Sequence, residues 1–103
     1  MLEEHSSLDS DTFEMLYKCY FRRVFSFVRK NVEDVAEAED VTHDVFLKLW
    51  KGRKTYSDVI PGHMQLFVIA RQLVINHYRK DMIRQRALRV WENEAPSSTR
   101  IDI

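Results

Sequence analysis

The sequence is poor in the residues that break, bend or staple a chain. Of its 103 residues, two are glycine, two are proline and one is cysteine. With Cys19 alone, no intrachain disulfide can form and a cysteine-based metal site is excluded. Such a chain suits a reducing compartment, which makes the cytoplasm the expected location. No apolar run approaches the ~20 residues of a membrane span, and no secretory signal opens the chain. Period-two alternation is missing at any length that would make a strand, and there are no repeats. Net charge is also absent, since Lys plus Arg and Asp plus Glu both number 16. That balance hides a separation: residues 1–50 carry 11 acids and 6 bases, whereas 51–89 carry 9 bases and 2 acids. One end of the fold should attract a basic partner and the other a polyanion.

At this length one all-α domain with a single core is expected, a compact bundle of three main helices spanning 11–91. Residues 1–10 are polar and read as a loose arm, and 92–103, with Pro-Ser-Ser-Thr, as a linker or tail. Asp11 with Glu14 three residues later fits a capping-box variant that starts the first helix. From there Phe13, Leu16, Tyr17, Tyr20, Phe21 and Val24 begin an apolar arc that Phe25, Phe27 and Val28 continue. The arc covers about half the circumference, wide enough to pack against two neighbours. Lys18, Arg22, Arg29 and Lys30 fall opposite as solvated charge, beside Met15 and Cys19, and the helix ends near Asn31.

The central helix, Asp34 to about Lys51, organises the rest. Projected at 100° per residue, Val35, Ala38, Val41, Thr42, Val45, Phe46 and Leu49 fall on one side as a core stripe. Glu37, Asp40, His43, Asp44, Lys48 and Lys51 fall on the other, with one stranded leucine, Leu47, among them. An acidic face with a single apolar contact suits a basic partner surface; a plain solvated face is the alternative. Gly52 is placed at the C′ position, and a loop marked by Ser57-Asp58 and Pro61-Gly62 follows. Pro61 then opens the third helix, whose buried arc comprises Leu66, Phe67, Ile69, Ala70, Leu73 and Val74, followed by His77 and Tyr78. The opposite arc carries Gln65, Gln72, Asn76 and Arg79 with interleaved Val68 and Ile75, and Arg71 at its edge. Amides and a guanidinium offer directed donors for base edges, and apolar side chains pack on sugars or unstacked bases. Lys51, Arg53, Lys54, Lys80, Arg84, Arg86 and Arg89 extend the positive charge, as a phosphate backbone would require.

Two segments carry a family resemblance. Asp40-Val41-Thr42-His43-Asp44-Val45-Phe46-Leu47-Lys48-Leu49-Trp50 resembles a segment of the bacterial sigma-70 factors. The run from Leu66 to Lys80, LFVIARQLVINHYRK, resembles the segment that follows it in that family, and Phe13, Leu16, Tyr17, Tyr20 and Val24 fit the preceding block. The nearest subgroup is the extracytoplasmic-function (ECF) sigma factors, of which this looks like region 2. The resemblance implies a transcription initiation factor domain without catalytic residue, metal or cofactor. It implies docking on the β′ clamp coiled coil of RNA polymerase through Asp40, His43, Asp44 and Leu47, with Trp50 near the edge. It further implies that the promoter −10 element is opened and its non-template single strand held. By position Gln65, Arg71, Gln72, Asn76, Arg79 and Lys80 would do so, with the loop from Tyr56 to His63 shaping a pocket for a flipped base. An anti-sigma factor covering the same surfaces is a further implied partner.

The departures are specific. Gln65 stands where the family often has Trp, Gln72 where Asn is common, Asn76 where Asp is common, and His43 in place of Gln. Promoter preference therefore does not transfer, and His43 would add a pH dependence to docking. Nothing after Lys80 could supply the family's second, −35-reading domain, so the expectation is one domain of a longer factor or a naturally short one. Two other functions stay in view: a helical protein-interaction module without DNA contact, and an HD-type metal phosphohydrolase. The latter would rest on His43-Asp44 with His5, His63 or His77 as further ligands. His77 projects toward the core, where a satisfied buried histidine accounts for it.

Overall fold

The computed structural model describes residues 8–57 and 59–102, with side chains as far as Asn93. Three helices account for the fold: α1 (Ser10–Asn31), α2 (Val35–Lys51) and α3 (Gly62–Asp102), with a 3-10 turn at Arg53–Thr55 between the last two. Each helix packs on the other two, as the wide apolar arc of α1 requires. There is no strand among the described residues.

The start of α1 differs from expectation. Asp9, not Asp11, is the N-cap, and its carboxylate accepts the Thr12 N–H at 2.8 Å. Hydrogen bonds from the Thr12 hydroxyl and N–H hold the Asp9 pKa below its ordinary value of 3.8. Leu8 decides between the two aspartates. It is only 4% exposed, lies in the core, and donates its N–H to the Arg53 carbonyl at 2.9 Å. With Asp9 as cap, Leu8 and Phe13 take the N′ and N4 positions of a hydrophobic staple. Residues 8–10 are thus part of the fold; the rest of the expected arm, 1–7, lies outside the described residues.

At its other end α1 is closed by Arg29. Its guanidinium donates to the carbonyls of Val32 (3.2 Å) and Glu33 (2.8 Å), so this side chain is a cap and not free solvated charge. Asp34 caps α2, accepting from the Ala36 and Glu37 N–H groups, and Val32 between the helices is buried. The core stripe of α2 is Ala38, Thr42, Val45, Phe46 and Leu49, with Val41 half-buried. The Thr42 hydroxyl is satisfied by the Ala38 carbonyl at 2.7 Å. Val35, placed in that stripe by projection, is 54% exposed. It begins the helix at the rim of the bundle, where Val32 already fills the interior.

Phe46 is the hub. Only 2% exposed, it meets the rings of Tyr17 (4.9 Å between centroids, edge-on), Phe21 (5.7 Å, stacked) and Phe13 (6.3 Å, edge-on). Those three lie at i, i+4 and i+8 along α1, so one α2 side chain is gripped by two turns of its neighbour. On the other flank Leu66, Ala70 and Val74 of α3 join Val24 and Val28 of α1 in the same core.

Gly52 ends α2 with φ −90°, so the chain leaves by the 3-10 turn and not by a left-handed C′ residue. Pro61 sits one position ahead of α3, its carbonyl accepting from Met64 and Gln65. The helix then continues past Trp91 through Pro96 to Asp102, where a linker or tail was expected. Beyond Asp81 every described side chain of α3 is exposed, so this extension leaves the bundle. Tyr78 of the expected buried arc is 61% exposed. It lines a hollow beside Asn31 to Asp34, where the two shorter helices turn and no described residue covers the ring.

Replacing Phe46 by Ala should cost about 3–5 kcal/mol of unfolding free energy, because it empties the centre of the aromatic cluster. Urea denaturation followed by circular dichroism measures it; a loss under about 1 kcal/mol would remove Phe46 from that role.

Candidate functional site

Two surfaces follow from how Phe46 and its stripe orient α2. With that side buried, Asp40, His43, Asp44 and Leu47 are all exposed on the outer side, as projection predicts, and Leu47 is 46% exposed among charges. His43 leans on Phe21 with ring centroids 5.2 Å apart, which limits the directions its imidazole can take. Trp50 behaves differently from the other four. It is half-buried, packed on Phe13 at 4.9 Å, and the Arg53 guanidinium lies 4.3 Å from its ring centre. Arg53 also donates to the Trp50 carbonyl at 3.0 Å, so this pair closes the end of α2.

On α3, Arg71, Gln72, Asn76, Arg79 and Lys80 are exposed, with exposed Val68 and Ile75 between them. None of the five is drawn into the core. His77, in contrast, is not a core histidine: its Nε2 lies 3.4 Å from the Glu37 carboxylate of α2, at the partly exposed seam of the two helices. Tyr56 in the loop, and His63 and Gln65 in the first turn of α3 where the sequence placed His63 in the loop, each have partners within the fold. Tyr56 is half-buried and packs against the core. His63 is stacked on Tyr20 of α1, 5.4 Å apart and 13° from parallel, and the Arg23 guanidinium sits 5.6 Å from the Tyr20 ring centre. Gln65 is half-buried, and its amide nitrogen donates to two loop carbonyls, Ser57 and Ile60, both at 2.7 Å.

The two surfaces are neighbours. Asp44 and Lys48 of α2 share one groove of about 540 Å³ with Asn76, Arg79 and Lys80 of α3, floored by Val41 and Leu73. The charge separation seen along the chain therefore becomes two adjoining strips and not two opposite ends. Among the described residues no three His, Cys, Asp or Glu side chains converge as metal ligands, and no helix is long and apolar enough to cross a membrane. His43, His63 and His77 face Phe21, Tyr20 and Glu37 respectively, which leaves the phosphohydrolase reading without a site there; His5 lies outside the described residues.

With this geometry in place, comparison with known proteins is decisive for the family. The Sigma-70 region 2 family matches residues 16–87, which takes in α1 from Leu16, all of α2, the loop and the bundled part of α3. The chain belongs to the sigma-70 region 2 family. Among curated relatives it is similar to RNA polymerase sigma factor YlaC of Bacillus subtilis (strain 168), at 25% identity over 89% of this chain and 53% of the relative. It is also similar to the ECF RNA polymerase sigma factor SigX of the same organism, at 29% identity over 80% of this chain and 43% of the relative. The chain thus spans about half the length of the curated relatives it matches. No solved structure matches significantly. The ECF subgroup read from the sequence agrees with the name of the second relative, and the all-α fold is the one region 2 requires.

Sequence reasoning missed three features of this region. Tyr20 and Arg23 form a platform with His63, but on a helical projection Tyr20 counts only as core and Arg23 only as charge. The Gln65 fork links residues eight and five positions apart across a loop, and no periodic signal marks it. Gly62 is needed for space: a Cβ there would come within 2.9 Å of both Leu16 Cδ1 and the Tyr56 hydroxyl. Replacing Gly62 by Ala should displace Tyr56 and cost about 1–2 kcal/mol through overpacking, despite alanine's better helix propensity. Thermal denaturation together with Tyr56 ring shifts by NMR checks this; an equal or raised Tm with an unmoved ring would refute it.

Proposed function

We propose that this chain is the part of a transcription initiation factor that joins RNA polymerase to the promoter −10 element. The exposed strip Asp40, His43, Asp44 and Leu47 would dock on the β′ clamp coiled coil, with Leu47 as the apolar anchor inside a carboxylate rim. Trp50 would act by shaping the end of α2 rather than by contact, given how it is held by Phe13 and Arg53. The exposed strip Arg71, Gln72, Asn76, Arg79 and Lys80 would hold the non-template single strand, the cations on phosphates and the amides on base edges. The loop with Tyr56 and His63 would border the flipped base. An anti-sigma protein would compete by covering these surfaces, and the site of action would be the cytoplasm.

The observation that carries this reading is family membership together with the exposure of both strips on adjoining helices. No step of it needs a catalytic group, metal or cofactor. A protein-interaction module without DNA contact would use the α2 strip alone and would leave the five-residue polar strip on α3 without a purpose.

Leu47→Glu should weaken binding to an isolated β′ clamp fragment by about 2 kcal/mol or more, and Asp44→Arg should do the same, both with unchanged helicity. Calorimetric titration measures it, and full affinity in both variants would refute the docking assignment. Arg79→Ala should weaken binding to −10 single-stranded DNA and lower the slope of log K against log salt by about one. An unaltered slope removes Arg79 from the phosphate contacts.

A further inference from the structure

Gln65 is placed among base-reading amides by sequence, yet the structure gives it other work. A side-chain amide nitrogen has two hydrogens, and here each is directed at a backbone carbonyl of the preceding loop, Ser57 and Ile60, at 2.7 Å. No N–H of this side chain is left to offer a base. The anchor is firm, because Gln65 lies in the first turn of α3 with its own backbone N–H bonded to the Pro61 carbonyl. The loop it grips presents apolar side chains to solvent: Val59 is 85% exposed and Ile60 52%. Tyr56 ties the start of this loop to the core, while near its tip the Val59 N–H makes a long bond to Ser57 Oγ at 3.2 Å, so the two Gln65 bonds are the short ones described there. A tryptophan, the residue the family resemblance leads one to expect here, carries a single N–H and could not bridge two carbonyls.

We propose that Gln65 is a positioning residue that sets base preference through the loop, fixing Val59 and Ile60 relative to α3 without itself contacting a base. This rests on the −10 reading above and assigns Gln65 a different part in it. The consequence is a separation of effects. Removing the fork should relax discrimination where the loop meets the strand, while the phosphate contacts of Arg79 and Lys80 keep overall affinity.

The test uses Gln65→Met, which keeps length and removes both donors, and Gln65→Glu, which keeps polarity and removes them too. Backbone 15N order parameters at Val59 and Ile60 in the free chain should fall in both variants at unchanged helicity, because the carbonyls on either side of Val59 lose their anchor. In selection from a randomised single-stranded DNA pool, the base preference shown by the wild-type chain should flatten at one position in both variants, with affinity for the unselected pool within about twofold. Unchanged order parameters overturn the proposal, because the fork then does not hold the loop. Lowered order parameters with an intact preference also overturn it, as does a lost preference with unchanged order parameters, which would make Gln65 a direct reader. A wild-type chain that shows no base preference at all instead sinks the underlying −10 reading, and the relaxation measurement would still report on the fork.

Discussion

The packing of Phe46 between Phe13, Tyr17 and Phe21 is what the rest of the molecule depends on. A helix in a small bundle is free to roll about its axis unless something fixes its phase. A single aromatic side chain seated between two turns of a neighbouring helix does so, since any roll breaks several ring contacts at once. With Phe46 inward, the 3.6-residue period sends Asp40, His43, Asp44 and Leu47 outward together. The same core carries Leu66, Ala70 and Val74, which turns Arg71, Gln72 and Asn76 away from the bundle. Two polar strips are thus presented by one apolar interior, and neither needs a contact of its own to be held in place.

Charge then divides the labour. The carboxylate of Asp44 and the guanidinium and ammonium groups of Arg79 and Lys80 border a common groove, so opposite charges stand side by side on a small surface. Such an arrangement favours a basic protein and a polyanion approaching from neighbouring directions, and disfavours exchanging them. The zero net charge of the chain is a sum over segments of opposite sign and says nothing against nucleic acid as a partner. Leu47 gives the acidic strip an apolar centre, whereas Val68 and Ile75 give the cationic strip surfaces on which sugars or bases can rest.

What the sequence disclosed and what it withheld divide along a physical line. Burial in the middle of each helix was legible because period and apolar identity agree there: Val24, Val45, Phe46 and Leu66 fall inside, and Leu47 and Gln72 outside. Burial at helix ends was not, because it depends on how far a neighbouring element reaches. Leu8 is covered by its pairing to Arg53, whereas Val35 and Tyr78 are exposed where partner helices run out. Asp11, with Glu14 three residues on, is the stronger local capping signal, and the tertiary burial of Leu8 selects Asp9 instead. The outward placement of Asp40, Asp44, Asn76 and Arg79 was likewise legible from projection. Gln65 and Trp50 were not, since an amide reads the same whether it faces a base or a loop carbonyl, and an indole the same whether it faces a partner or its own bundle.

The central claim is that α2 and α3 offer separate surfaces to separate partners. Amide and side-chain NMR shifts of the labelled chain, titrated in parallel with an isolated β′ clamp coiled-coil fragment and with −10 single-stranded DNA, test it most directly. The account predicts that the clamp fragment perturbs Asp40, His43 and Leu47 while leaving Val68, Arg71 and Gln72 in place, and that the DNA does the reverse. Both ligands moving the same set of residues, or the clamp fragment acting only on α3, would contradict it.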